Sequence, residues 1–317
     1  MAMIETTNLT KRYGDLTAVE CVDLTVEAGS IHGFVGPNGA GKTSTMQMLV
    51  GLTSPTEGEV LIDGAPAGSI EANATIGYSP QDPALEEGMT GRSYLHYMGK
   101  MAGLEDDLEE RTEEVLAWID LADAADQPIG EYSGGMQRRI SLAQAMIHEP
   151  DLLILDEPTA ALDPSGRMAI IESLEDLTEE GVTVFVSSHV LAELEQFIDT
   201  VSILRDGTLV ETGPVDDIET GGSGQAFAVE TDDDDRLAAL LDDRSWVTEV
   251  TRKDDVLAVR ADQPDEFRSE LQQLLADEGI LLQSLQETGG LEEAFADVVN
   301  VDDADQRAEA ADDGGEQ

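Results

Sequence analysis

The 317-residue chain contains one cysteine, Cys21, and only four lysines, Lys11, Lys42, Lys100 and Lys253. A single cysteine excludes an internal disulfide framework, a cysteine-ligated zinc site and an iron–sulfur cluster. Cys21 itself reads as a small core residue, the usual setting of a free thiol. There is no run of eighteen apolar residues, so no membrane-spanning helix is expected. The first residues also lack the basic and apolar segments of an export signal. Positive charge is scarce throughout: 17 basic residues stand against 68 acidic ones, a formal net charge of −51. That balance argues against duplex DNA or RNA as a partner, because binding there needs Lys and Arg on phosphates. The excess is not a tail, since residues 221–317 carry 27 acids and 7 bases and residues 1–220 carry 41 and 10. Charge spread so evenly reads as a solvent adaptation. Self-repulsion destabilises such a chain in dilute buffer, whereas molar salt screens it to about 3 Å. A high-salt cytoplasm is therefore the expected setting.

The length accommodates one large domain and a small one with ample core. Met3–Thr6, Leu24–Glu27 and Ile31–Val35 read as short strands, the last feeding a glycine-rich loop and then a helix from Thr45 to Val50. Further strands are expected at Glu59–Ile62 and Thr75–Tyr78. From Thr90 to His148 the pattern turns helical, as in Leu108–Ile119. The continuous apolar runs Leu152–Leu155 and Val182–Val186 read as parallel strands buried on both faces, separated by a helix at Ser165–Glu179. Together these predict a doubly wound α/β core with a helical insert at about 88–148. Pro214–Gln225, with Gly221-Gly222-Ser223-Gly224, reads as a linker. Beyond it the pattern predicts strand, helix, hairpin, helix, strand and a last helix at Leu291–Val299, a small α+β domain over 221–300. Residues 301–317 are acidic, nearly devoid of apolar bulk, and expected to be disordered.

Three motifs carry chemistry. Gly36-Pro37-Asn38-Gly39-Ala40-Gly41-Lys42-Thr43-Ser44 fits the phosphate-loop pattern GxxxxGK[ST] between a strand and a helix. Its glycines let backbone N–H groups cradle phosphate oxygens at a helix N-terminus. Lys42 would reach the β- and γ-phosphates, and the Thr43 hydroxyl would bind Mg2+. The loop alone leaves the nucleotide class open. Leu152–Leu155 ends in Asp156-Glu157, where the carboxyl edge of a parallel sheet places ligands. Asp156 would hold Mg2+ through water, and Glu157 would orient or deprotonate an attacking water. The third motif is Ser133-Gly134-Gly135-Met136-Gln137, which lies 91 residues after Lys42 and 23 before Asp156.

In this order and spacing, the motifs resemble the nucleotide-binding subunit of an ATP-binding-cassette (ABC) transporter, with high specificity over residues 3 to about 215. The resemblance implies a phosphate-loop ATPase core of the α/β class, with a mostly parallel sheet, an antiparallel β subdomain and a helical insert, followed by the small C-terminal α+β domain. The core would occupy residues 1–220. The resemblance makes Ser133 to Gln137 the family signature, presented in trans to the γ-phosphate held by a second copy. By the same likeness Gln81 is the lid glutamine at Mg2+, Asp163 belongs to the loop that communicates across the dimer, His189 is the switch histidine at the γ-phosphate, and Tyr13 stacks on adenine. His32, His96 and His148 have no such match and read as structural. Tyr132 and Met136 depart from the commonest signature; Tyr-Ser-Gly-Gly-Met is similar to the branch of drug-export and other ABC-2-type ATPases, as is Gly290-Leu291-Glu292-Glu293-Ala294-Phe295.

Two classes of function follow. In the first, two copies bind ATP and Mg2+, close, and drive an integral-membrane permease, a separate polypeptide contacted by residues 82–100, from the cytoplasmic face of the membrane. Cargo and direction then belong to the permease. In the second, the chain is a non-transport ABC ATPase of DNA repair or translation. Chromosome clamps need a long coiled coil between phosphate loop and signature, and 91 residues without sustained heptads leave no room for one. Ribosome factors usually carry two cassettes, and one is present here. A phosphate-loop kinase would leave the signature and His189 unexplained.

Overall fold

The computed structural model describes residues 1–104, 106–160, 162, 164–189, 194–219, 225–241, 244, 246–253, 256–261 and 263–287. The chain opens with two long antiparallel strands, β1 (Ala2–Tyr13) and β2 (Leu16–Glu27), joined by the turn Gly14-Asp15 with Gly14 at φ +63°. β3 (Ile31–Val35) runs into the glycine-rich loop and α1 (Lys42–Leu49). β4 (Glu57–Ile62) and the short β5 (Ala65–Pro66) complete an antiparallel sheet in the order β2-β1-β4-β5. α2 (Ile70–Thr75) starts at Ser69, whose hydroxyl accepts the Ala72 N–H, and leads into β6 (Ile76–Ser79).

The helical insert holds α3 (Gly91–Met101), α4 (Leu108–Trp118) and α5 (Gly134–Met146). Each presents an apolar stripe at helical spacing. Tyr94 and Leu95, Val115 and Leu116, and Ile140 and Ile147 meet in one buried cluster. The chain then forms β7 (Leu152–Asp156), α6 (Pro164–Glu179), β8 (Thr183–Ser188), β9 (Thr200–Arg205) and β10 (Thr208–Pro214). The central sheet has the order β10-β9-β3-β8-β7-β6, and the β9–β3, β3–β8, β8–β7 and β7–β6 pairs are all parallel. β3, β7 and β8 are buried at every position, as strands covered on both faces must be. Phe34 and Phe185 meet there at 5.2 Å between ring centroids. Such contacts are worth about 0.5–1.5 kcal/mol beyond area burial.

The compact unit built from these elements runs to Thr212, and a second unit begins at Gly213. The second contains α7 (Val215–Glu219), β11 (Gln225–Thr231), α8 (Asp234–Leu241), β12 (Glu249–Lys253), β13 (Val256–Ala261), α9 (Pro264–Glu278) and β14 (Leu282–Glu287). From β11 to β14 this is a βαββαβ unit whose antiparallel sheet has the order β12-β13-β11-β14, the ferredoxin-like arrangement. Phe227 of β11 stacks on Phe267 of α9 at 4.3 Å, with Trp246 edge-on at 5.7 Å from Phe267. Pro264 opens α9 and Gly279 closes it at φ +70°, the usual proline-start, glycine-stop asymmetry.

Two expectations need correction. Cys21 is exposed. Between the pairs Leu9↔Val22 and Lys11↔Val19, β2 carries one residue more than β1. This β-bulge leaves Glu20 and Cys21 both outward, with Cys21 at φ +49°. Nor is Pro214–Gln225 a linker throughout, because α7 forms at Val215–Glu219. Its apolar residues Val215 and Ile218, one helical turn apart, are 6% and 3% exposed. The expected helix at Leu291–Val299, the acidic end 301–317 and Asp163 lie outside the described residues.

Candidate functional site

The carboxyl ends of β3, β6, β7 and β8 converge on one edge of the central sheet. The phosphate loop follows β3, Gln81 follows β6, Asp156-Glu157 closes β7, and His189 follows β8. In the loop Gly39 and Gly41 have φ of +86° and +105°, values that L side chains rarely adopt. A Cβ at Gly41 would stand 2.3 Å from the Ala18 carbonyl oxygen, and one at Gly36 2.3 Å from that of Leu204. The chain therefore passes between β2 and β9 only because these positions lack side chains. Pro37, Asn38, Ala40 and Ser44 lie along the same loop and the start of α1. Thr43 is exposed there and Lys42 is buried.

The Lys42 ammonium donates to the carbonyls of Gly36 at 2.6 Å and Pro37 at 3.2 Å, and stands 4.0 Å from Glu157 Oε1. Burial lowers its pKa, while the carboxylates of Glu157 and Asp156 act in the opposite sense. The other oxygen of Glu157, Oε2, is 2.7 Å from His189 Nδ1. Glu157 is held at φ +52°, a left-handed conformation that costs a non-glycine residue about 1–3 kcal/mol. Its N–H donates to the Ser187 hydroxyl at 3.0 Å, and that hydroxyl donates to Asp156 Oδ1 at 2.6 Å. Asp156 and Ser187 are direct neighbours across the β7–β8 ladder. Asp156 Oδ2 has no hydrogen-bond partner although the residue is only 1% exposed. A buried, unpartnered carboxylate oxygen beside a phosphate loop suits a hard, oxygen-seeking cation or its water.

Ser133 caps α5, its hydroxyl accepting the Met136 N–H at 3.3 Å. Ser133 and Gly134 are exposed, and Gly135, Met136 and Gln137 are partly so. The start of α5 is thus exposed, and the first N–H groups of a helix have no intrahelical acceptor, which suits donation to another molecule. Gln81 is exposed in the turn after β6. Tyr13 is 47% exposed at the tip of the β1–β2 hairpin, with the Lys11 ammonium 5.1 Å from its ring centroid.

Sequence reasoning missed two residues at this edge. Ser187, which ties Asp156 to the Glu157 backbone, sits in an apolar strand whose hydroxyl was the only sign of a role. Arg138, behind Glu157, shares a buried stripe with Ser141, Leu142 and Ala145, so helical period places it inward. Of the remaining histidines, His32 is buried between the hydroxyls of Thr200 and Ser202 at 2.7 and 2.8 Å, and His148 Nε2 bonds the Ile76 carbonyl at 3.0 Å. His96 is half-buried on α3.

A phosphate loop, two strand-end acids and a separate helix that starts at Gly134-Gly135 under a serine cap define the ATP-binding-cassette class of ATPases. The family model described as "ABC transporter" matches residues 19–160. The ABC transporter ATP-binding protein YxlF of Bacillus subtilis is 36% identical over 258 residues, 81% of this chain and 85% of its own length. The linearmycin resistance ATP-binding protein LnrL of the same organism is 37% identical over 219 residues, 68% of this chain and 70% of its own. Among solved structures, a dimeric cassette in a post-hydrolysis state bound to ADP and Pi is similar with a TM-score of 0.62 and 27% identity, over 67% of this chain and 98% of that one. The chain belongs to the ABC transporter family, as one of its ATP-binding, ATP-hydrolysing subunits.

Proposed function

We propose that two copies of this chain close on ATP and use its hydrolysis to drive a separate integral-membrane permease of the ABC-2 export type. The observation that carries this reading is the clustering of Lys42, Glu157 and His189, 4.0 and 2.7 Å apart through the Glu157 carboxylate, beside the free Oδ2 of Asp156. Lys42 and the N–H groups of Gly36 to Ser44 bind the phosphates, and Tyr13 offers its open ring to adenine. Glu157 takes a proton from water as that water attacks the γ-phosphorus; the bond to the β,γ-bridging oxygen breaks, leaving ADP and phosphate. His189 holds Glu157 and lies beside the γ-phosphate. Thr43, Gln81 and Asp156 would hold Mg2+, which neutralises phosphate charge. Ser133, Gly134, Gly135, Met136 and Gln137 of one copy cover the γ-phosphate held by the other, and the loop of Asp163 carries the signal across. Loss of the γ-phosphate removes the bridge and reopens the pair.

Export is supported by similarity to proteins named Nod factor export ATP-binding protein I and by the Tyr-Ser-Gly-Gly-Met signature. A non-transport role in repair or translation has no comparable support. No helix among the described residues is long and apolar enough to cross a membrane; the chain sits peripherally on the cytoplasmic face, and the permease docks on its residues 82–100. The net charge of −51 supports a high-salt cytoplasm and no nucleic-acid partner. The test is Glu157→Gln, which should lose turnover about 10²–10⁴-fold, retain ATP, and accumulate as an ATP-bound dimer by sedimentation. A wild-type monomer that hydrolyses ATP at full rate without pairing would sink the reading.

A further inference from the structure

Arg138 follows the signature on α5 and is 6% exposed. Its guanidinium donates to four backbone carbonyls: Pro80, Gln81 at 3.0 Å, Asp156, and Pro158 at 3.3 Å. One side chain thus grips the turn that carries Gln81 and the carbonyls of the residues on both sides of Glu157. A planar fork of five donors spans carbonyls on separate segments in one fixed geometry, which the compact, rotating ammonium of lysine does not reproduce. Burial lowers the Arg138 pKa, and the carboxylates of Asp156, Glu157 and Asp82 act to keep its charge. The next residue, Arg139, points elsewhere and bonds the carbonyls of Ile119 and Asp120 at 3.1 Å each.

Packing of α5 on β6 has other anchors. The Ser79 and Ser141 hydroxyls meet at 2.9 Å, and a Cβ at Gly77 would lie 2.1 Å from the Ala145 carbonyl oxygen. The helix therefore meets the strand through contacts that do not involve Arg138. Its own bonds join the Gln81 turn to the residues that flank the strained Glu157 backbone.

We propose that Arg138 is a positioning residue for hydrolysis, setting the backbones of Gln81 and Glu157 in one frame so that lid glutamine and water-directing carboxylate act together. This rests on the roles given above to Glu157 and Gln81. The experiment uses the full chain in high salt, with Arg138→Gln and Arg138→Lys checked for fold by circular dichroism. Both variants should lose kcat about 10- to 100-fold, the effect of misplacing a reacting group by about 1 Å, with KM and directly titrated affinity for ATP within about three-fold of wild type. The Mg2+ concentration for half-maximal ATP binding should rise in both, because Gln81 shifts with its backbone. Turnover within two-fold of wild type in either folded variant would overturn the proposal. So would kcat and ATP affinity falling together, or failure of both variants to fold, since each marks a general scaffold residue. Glu157→Gln, measured alongside, separates the two levels. Normal turnover there would remove the catalytic assignment itself; its loss there beside normal turnover in the Arg138 variants would remove only the proposal.

Discussion

His189 and Glu157 are joined through Nδ1 and Oε2 at 2.7 Å, although one is 45% exposed at its side chain and the other 7%. The buried carboxylate is thereby held between a solvent-exposed imidazole at Oε2 and the buried Lys42 ammonium at Oε1.

Two groups acting through one carboxylate should not contribute additively. His189→Ala is expected to lower kcat with a small change in ATP affinity, and to add little once Glu157 is already Gln. A double-mutant cycle on single-turnover rates measures this. Full additivity of the two losses would mean that His189 acts independently of Glu157.

Ser187 connects the other half of the acidic pair. In Ser187→Ala the Glu157 N–H loses its acceptor and Asp156 Oδ1 loses its donor, and all three residues are buried. Leaving such groups unpaired costs about 1–3 kcal/mol. Denaturation in urea should show that loss, with a higher Mg2+ requirement for ATP binding. Ser187→Thr should restore both in large part, and equal defects in the two variants would argue that packing, not the hydroxyl, is at issue.

His32 makes stability depend on pH. Burial holds its pKa down to about 3 from 6.5, so the folded chain keeps it neutral where the unfolded chain protonates it. Stability is complete above about pH 6.5 and falls by about 1.4 kcal/mol per unit as pH drops from there towards 3. The stability advantage of wild type over His32→Gln in urea should therefore shrink across that window. A difference independent of pH between about 7 and 5 would show that His32 is not buried neutral.

Self-repulsion at a net charge of −51 should make the fold salt-seeking. The melting temperature is expected to climb steadily between about 0.2 M and about 2 M KCl as the screening length contracts. A flat or falling curve would remove the high-salt setting from the account.

Much of this was legible in the residues because the governing patterns are local. The phosphate loop needs a glycine sequence between strand and helix, and the fully apolar runs at Leu152–Leu155 and Val182–Val186 announce strands covered on both faces. Edge elements were read less well. β1 and β2 extend far beyond Met3–Thr6 and Leu24–Glu27, because their stability comes from pairing with each other rather than from β-rich composition. Cys21 was misread for a related reason: bulge position is a property of the two-strand register, which neither strand contains alone.

By itself, the sequence determined the chemistry available to this ATPase: which residues can cradle a phosphate, bear a proton or cap a helix, and in what order along the chain. Tertiary structure alone decided which of them meet. Strand order brings Asp156 beside Ser187 and Glu157 within reach of Lys42 and His189, across sequence separations that no periodicity records. Arg138 and Arg139 are the same residue one position apart. A rotation of 100° per residue around α5 sends one behind the end of β7 and the other to the carbonyls of Ile119 and Asp120.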